Sequence, residues 1–375
     1  MFLRGVNSFK NICVHSRGCI SNLAMLPSEL YLMSIEKPSY KQIYKSIDQP
    51  IDKSIYEYSI FPKRNVSKQN VSKPILNLLS NYSTELFSTD VNIVEVSPRD
   101  GLQNVKKTIS TEDKKTLINK LVGTGITNIE ATSFVSSKAI PQLADSEEIV
   151  NHCHQLKRYN DLLNFSVLVP NGYGFNKARS NSVSDIAIFT AASETFCKKN
   201  IGCTIDESLN RYRDICLDAQ LDTNRFKIRG YVSCIAGCPY EGDIDVDEVV
   251  RVSTDLINMG CYEVSLGDTI GVGTPEQISD ILDRLLEHIS KRDIAVHFHD
   301  TYGNALDNIS VALGKGIRTI DGSVGGLGGC PFAPGSSGNV ATEDVVKMLN
   351  DKGYYTGIDL RKLENVAEFA KRLVE

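Results

Sequence analysis

No run of about 18 apolar residues, the length a membrane-crossing helix needs, occurs anywhere in the 375-residue chain. Positive charge is also not in excess. The 41 basic side chains face 46 acidic ones, a net of -5, so there is no electrostatic case for nucleic acid as a partner. An anionic ligand would have to find local basic residues. The ten cysteines (13, 19, 153, 197, 203, 216, 234, 238, 261 and 330) include no CxxC pair, which argues against a structural zinc site and for reduced thiols. The N-terminus lacks the long apolar centre of a secretory signal, and Phe2 stands where N-myristoylation needs glycine. What remains, 41% hydrophobic and 23% charged, suffices for a sizeable core in one large domain or two ordinary ones.

The first 28 residues carry Arg4, Lys10 and Arg17, several serines and no acid before Glu29, the composition of a mitochondrial transit peptide. A merely disordered terminus is the plainer alternative. Residues 1–89 hold eleven basic against six acidic side chains, leaving -10 for the rest of the chain. This asymmetry marks a boundary. Residues 29–89, rich in Ser, Asn, Lys, Tyr and Ile without a sustained period, read as a disordered leader or spacer, and residues 90–375 as the catalytic domain.

From Val91 onward, short β-branched runs alternate with amphipathic stretches of helical length. The runs are VNIVEVS from Val91, TNIEATS from Thr127, FSVLVP from Phe165, DIAIFTA from Asp185, FKIRGYVSC from Phe226, CYEVSL from Cys261, DIAVHFH from Asp293 and TIDGSV from Thr319. Capping residues or first-turn prolines open the intervening helices at Ser110-Thr111-Glu112-Asp113, Asp206-Glu207, Asp245 to Glu248 and Thr274-Pro275-Glu276. Eight such repeats predict an α/β protein of the (β/α)8 TIM-barrel type. A doubly wound open sheet is the alternative, weakened because no GxGxxG follows the first strand.

Barrel chemistry collects at the C-terminal ends of the strands. There the sequence places Ser97-Pro98-Arg99-Asp100-Gly101, Glu130, Arg229-Gly230-Tyr231, Gly267-Asp268-Thr269 and His297-Phe298-His299-Asp300. On a strand, His297 and His299 share one face, where both imidazoles could hold one cation. One core histidine and one surface histidine is the simpler reading of such a pair taken alone. Asp100, Glu130 and Asp268 tip the balance, because buried carboxylates need a compensating positive charge that a divalent ion and Arg99 would supply. Imidazole and oxygen ligands without nearby thiols suit Mg or Mn first, with Zn or Fe as alternatives. The loop from Gly325 to Asn339 is too glycine-rich for regular structure and reads as a phosphate nest or a flexible turn. Cys330 within it is either a proton-transferring or nucleophilic thiol or an ordinary small hydrophobe.

Six ordered motifs carry a resemblance: VEVSPRDGLQN from Val94, IEATSFVS from Ile129, GCPYEG from Gly237, GCYEVSLGDTIGVGTP from Gly260, HFHDTYGNAL from His297 and GLGGCPFAPGSSGNVATED from Gly326. From about Val91 to its end the chain resembles the 3-hydroxy-3-methylglutaryl-CoA lyases, the mitochondrial form in particular. The resemblance implies a metal-dependent barrel that cleaves 3-hydroxy-3-methylglutaryl-CoA to acetyl-CoA and acetoacetate by a retro-Claisen step, in the mitochondrial matrix. It implies metal ligands at Asp100, His297, His299 and Asn339 and catalytic roles for Arg99, Asp100, Glu130, Asp268, His297 and Cys330. Arg99 is expected to stabilise the thioester enolate and Cys330 to shuttle the proton that quenches it, with Asp268 and His297 both candidates for the hydroxyl base. Lys106, Lys199 and Asn200 match positions used near coenzyme A, which enters as part of the substrate; a solvated surface is their alternative. No nucleic-acid or membrane partner is expected, and a homodimer is compatible with the resemblance. The chain ends at Glu375 without the cysteine-bearing tail or peroxisomal tripeptide of some relatives, so neither thiol regulation through a tail nor peroxisomal targeting is expected.

Two other readings compete. Homocitrate and isopropylmalate synthases resemble the same barrel and His-x-His pair but form the carbon-carbon bond, and the cysteine loop and short C-terminal remainder favour a lyase over them. A catalytically silent barrel used for binding is disfavoured by the joint presence of Arg99, Asp100, both histidines and Cys330.

Overall fold

A computed structural model describes residues 90–222, 226–328 and 338–375. The transit-peptide and leader assignments, and Cys330, lie outside the described residues. Within the compact unit that runs to Glu375, eight parallel strands close into a barrel in sequence order. They are β1 (Asn92–Glu95), β2 (Asn128–Ser133), β3 (Asn164–Leu168), β4 (Asp185–Ala191), β5 (Lys227–Ser233), β6 (Glu263–Asp268), β7 (Ile294–Phe298) and β8 (Thr319–Gly322). Closure is made by β1 lying beside β8 over four residue pairs, from Asn92 opposite Thr319 to Glu95 opposite Gly322.

The anticipated runs all become strands, with shifted ends. The first run stops at Glu95, because the chain beyond winds into a single wide turn, Ser97–Gly101. The sixth starts at Glu263 and extends through Asp268, so Asp268 is the last residue of the strand and not part of the loop beyond it.

Helices α1 (Thr111–Gly123), α2 (Ser146–Tyr159), α3 (Gly172–Ser180), α4 (Glu194–Asn200), α5 (Ile205–Leu221), α6 (Val246–Asn258), α7 (Pro275–Leu286) and α8 (Ala305–Gly314) fill the crossovers, and α9 (Thr342–Asp351) and α10 (Leu360–Val374) follow β8. Their starts follow local chemistry. Ser110 accepts the Asp113 N–H, Thr204 and Glu207 form a reciprocal capping box, and Thr274 caps a helix whose first residue is Pro275. The longer helices bury an apolar stripe, as with Ile278, Ile281, Leu282 and Leu285 of α7. None of the described helices is long and apolar enough to cross a membrane.

The main core lies between helices and strands, while inside the barrel a small apolar group of Leu168, Ala187 and Tyr231 faces charged neighbours. Glu95 fastens the closure. Its fully buried carboxylate accepts the Ser97 N–H (2.9 Å) and the Val324 N–H (3.0 Å) on Oε1 and the Thr342 hydroxyl (2.6 Å) on Oε2. One side chain thereby ties the end of β1 to the segment after β8 and to the start of α9.

Candidate metal centre and its surroundings

The turn after β1 sets up the site. Pro98 cannot donate a backbone N–H, and the Val96 carbonyl accepts the N–H groups of Arg99 (3.1 Å), Asp100 (2.8 Å) and Gly101 (3.2 Å). This winding puts Arg99 and Asp100 at the barrel mouth. Gly101 is needed because a Cβ there would lie 2.8 Å from Ser323 Oγ and 2.9 Å from the Leu327 Cβ. Arg99 is buried, with Nε on Glu130 Oε1 and Nη1 on Asp100 Oδ1. The strand register of β2 against β3 shifts between Glu130 and Thr132, an irregularity that aims a side chain out of simple alternation.

Asp100 also accepts from Asn339 Nδ2 (2.7 Å) and Gln103 Nε2 (3.0 Å). Burial opposes its ionisation, but the Arg99 guanidinium, His297 and the Asn339 amide outweigh that and hold the carboxyl at about 2. It is therefore a carboxylate. One ligating atom from each of Asp100, His297 and His299 lies within 4.8 Å of the other two. The two imidazole centroids are 5.6 Å apart, and an antiparallel bridge sets Asn339 beside His299. Asn339 gives its amide N–H groups to Asp100 and the Leu327 carbonyl (3.1 Å), so its own carbonyl oxygen is not used in either bond.

The donor set fits a divalent cation. His299 Nδ1 is buried with no hydrogen-bond partner among the described residues. Burial, with His297 close by, pushes this imidazole down to about 4, so it is neutral and carries the lone pair a metal requires. A carboxylate, two imidazoles and an amide oxygen are the mixed nitrogen and oxygen ligands that such ions take.

Behind these groups lies a network that the sequence reading did not assign. Tyr231 on β5 donates its hydroxyl to Glu130 Oε2 (3.1 Å) and accepts from Arg229 Nη1 (2.9 Å). Arg229 grips Asp321 with Nη1 on Oδ2 (3.0 Å) and Nη2 on Oδ1 (2.7 Å), and bonds Glu263 through Nε (2.7 Å). Asp321 Oδ2 meets His297 Nδ1 (3.2 Å) and the Ser265 hydroxyl (2.8 Å). Hydrogen bonds thus run without a break from Asp100 through Arg99, Glu130, Tyr231, Arg229 and Asp321 to His297. The available signal was Arg229 and Tyr231 two apart on one strand, a charge and a hydroxyl on the same face.

The structure thus brings Arg99, Asp100, Glu130, His297, His299 and Asn339 together. Asp268 sits next to them with its carboxylate turned to the loop after β6, accepting the Val272 (3.2 Å) and Gly273 (2.9 Å) N–H groups, while its backbone carbonyl takes the His299 N–H (3.3 Å). Burial raises its pKa. Lys106, Lys199 and Asn200 are exposed and make no hydrogen bond or ion pair with this cluster among the described residues. Lys106 follows β1, and Lys199 and Asn200 end α4 after β4, so all three belong to loops and helix ends on the mouth side. Lys199 Nζ rests 3.6 Å from the Tyr240 ring centroid.

Fold and cluster define a class: a closed (β/α)8 barrel with a candidate metal centre built from the ends of several strands. The family model described as HMGL-like matches residues 90–370. The chain is 50% identical over 285 residues to the cytoplasmic 3-hydroxy-3-methylglutaryl-CoA lyase of Mus musculus, covering 76% of this chain and 81% of that protein. It is 48% identical over 283 residues to the mitochondrial hydroxymethylglutaryl-CoA lyase of Gallus gallus, covering 76% and 93%. A solved HMG-CoA lyase from Acinetobacter baumannii, in complex with coenzyme A and 3-methylmalate, is 36% identical with a TM-score of 0.70, covering 76% of this chain and 91% of that one. The chain belongs to the HMGL-like family and, within it, to the HMG-CoA lyases.

Proposed function

We propose that this chain is a metal-dependent carbon-carbon lyase that cleaves 3-hydroxy-3-methylglutaryl-CoA to acetyl-CoA and acetoacetate, in ketone-body formation and leucine breakdown. The observation that carries the reading is the convergence of Asp100, His297 and His299 within 4.8 Å beside the buried Arg99. In the reaction the tertiary hydroxyl loses its proton and its oxygen becomes the new ketone oxygen of acetoacetate. The electron pair of the broken carbon-carbon bond passes to the thioester enolate, which takes up a proton to give acetyl-CoA.

A divalent ion, Mg or Mn, held by Asp100, His297, His299 and Asn339 would polarise the substrate's oxygens as a Lewis acid. Arg99 has Nε and Nη1 engaged by Glu130 and Asp100, and its remaining Nη2 is the group that would meet the developing enolate oxygen. Glu130, fixed in turn by Tyr231, keeps that guanidinium aimed. His297 has Nδ1 directed to Asp321, so its other nitrogen is the one that would meet an ion or the hydroxyl proton. Asp268, whose carboxylate accepts the Val272 and Gly273 N–H groups, and His297 are the two candidates for the base that takes the hydroxyl proton. Cys330 delivers the proton to the enolate carbon, and Lys106, Lys199 and Asn200 meet the phosphates of coenzyme A at the mouth. Residues 1–28 direct the protein to the mitochondrial matrix and residues 29–89 act as a spacer. Sedimentation of the full chain tests the homodimer.

The decisive assay measures acetoacetate release from 3-hydroxy-3-methylglutaryl-CoA. Release that stops with a chelator and returns with Mg or Mn supports the proposal. Absence of release with either ion refutes it, and condensation of acetyl-CoA with an oxo acid would identify a synthase.

A further inference from the structure

An imidazole can offer a metal either ring nitrogen, and the hydrogen bond made by the other nitrogen decides which. The two histidines differ in this respect. His299 Nδ1 has no partner among the described residues, whereas His297 Nδ1 faces Asp321 Oδ2 at 3.2 Å. Asp321 is 1% exposed and receives both Nη groups of Arg229 and the Ser265 hydroxyl. A carboxylate so surrounded by donors is an acceptor only, so the ring nitrogen facing it must carry the hydrogen. Arg229 cannot swing away, because Glu263 and the Tyr231 hydroxyl hold its remaining edges. The planar fork fixes the carboxylate plane, and that plane fixes the imidazole.

We propose that Asp321, gripped by Arg229, is a positioning residue that locks His297 as its Nδ1–H tautomer, turns Nε2 toward the cation and so sets the affinity of the centre. The inference rests on the metal reading given under Proposed function. Removing a partner of this kind behind a metal-bound histidine weakens binding by about 10- to 100-fold.

The test uses the full chain stripped of metal and titrated with Mn²⁺, free ion being read by electron paramagnetic resonance. D321N should raise the Mn²⁺ dissociation constant by about 10- to 100-fold. S265A, which removes only one of the three donors on the same Asp321 oxygen, should stay within about threefold of wild type, the ion pair being intact. ¹⁵N-histidine spectra of the metal-free protein supply a readout that a merely structural role would not move. His297, assigned by its loss in H297Q, should show a single Nδ1–H pattern in wild type and lose it in D321N. Folded D321N that binds Mn²⁺ like wild type overturns the proposal. If D321N does not fold, the wild-type spectrum decides: an Nε2–H His297 overturns the proposal and an Nδ1–H His297 supports it. Wild type that binds no Mn²⁺ overturns the metal reading and this inference with it, which separates the two failures.

Discussion

Glu95→Gln tests the barrel closure through pH. Burial pushes the Glu95 carboxyl from its ordinary 4.5 up to about 7, against the opposing pull of its hydrogen bonds from Ser97, Thr342 and Val324. Across that window the unfolded chain has released the proton while the folded barrel still holds it. The folded state then binds more protons, so stability falls as pH rises from 4.5 through about 7. From pH 5 to pH 8 this amounts to about 2 to 3 kcal/mol. Glutamine fits the same contacts. Its oxygen can replace Oε1, which takes two backbone N–H groups, and its NH₂ can replace Oε2, which faces a hydroxyl able to accept as well as donate. Between pH 5 and pH 8 the variant should therefore gain about 2 to 3 kcal/mol on wild type, roughly 5 °C in melting temperature for a domain of this size. Urea melts of both proteins at the two pH values measure it, the difference between them cancelling all other titrating groups. A difference that does not change with pH would refute the reasoning.

His299→Ala should weaken cation binding and turnover together, whereas His288→Ala, on an exposed residue just past α7, should change neither; equal Mn²⁺ affinity in wild type and His299→Ala removes His299 from the ligand set. Cys330→Ser replaces a thiol of pKa about 8.5 with a far weaker acid, so kcat should fall by roughly 10² to 10⁴ with KM and the melting transition nearly unchanged. The buried Cys216 provides the control through Cys216→Ser, and comparable kcat in both variants would mean that Cys330 transfers no proton. Residues 1–89 fused to a fluorescent reporter should carry it to mitochondria; a diffuse cytosolic signal contradicts the targeting assignment and leaves the enzymology untouched.

The strands were legible because each is a β-branched run bounded by breakers: DIAIFTA coincides with β4, and Thr274-Pro275 opens α7 as its residue types require. The histidine pair was legible because period-two alternation is local. What stayed hidden depends on closure. Arg229 meets Asp321 across 92 residues, and Glu95 meets Val324 and Thr342 across 229 and 247, pairings that no window of sequence contains. The early end of the first strand was not legible, because the winding around the Val96 carbonyl is a property of the Ser97–Gly101 backbone, not of apolar content.

Asp100 follows β1, the histidines belong to β7 and its end, and Asn339 follows β8, so the proposed ligands stand on both sides of the place where the first and last strands meet. Asp100 and Asn339 are 239 residues apart in the chain and 2.7 Å apart in the fold. An ion held by both is a clasp on the seam of the barrel. No fragment lacking either end contains the whole binding site, so half-barrels should be blind to the metal while the intact cylinder answers to it. At a hundredfold excess over its dissociation constant the ion adds about 2.7 kcal/mol against unfolding. Since β1 can leave β8 only by pulling Asp100 from the histidines, that protection should be concentrated where the cylinder first comes apart, and amide exchange in Asn92–Glu95 and Thr319–Gly322 should slow when metal is added.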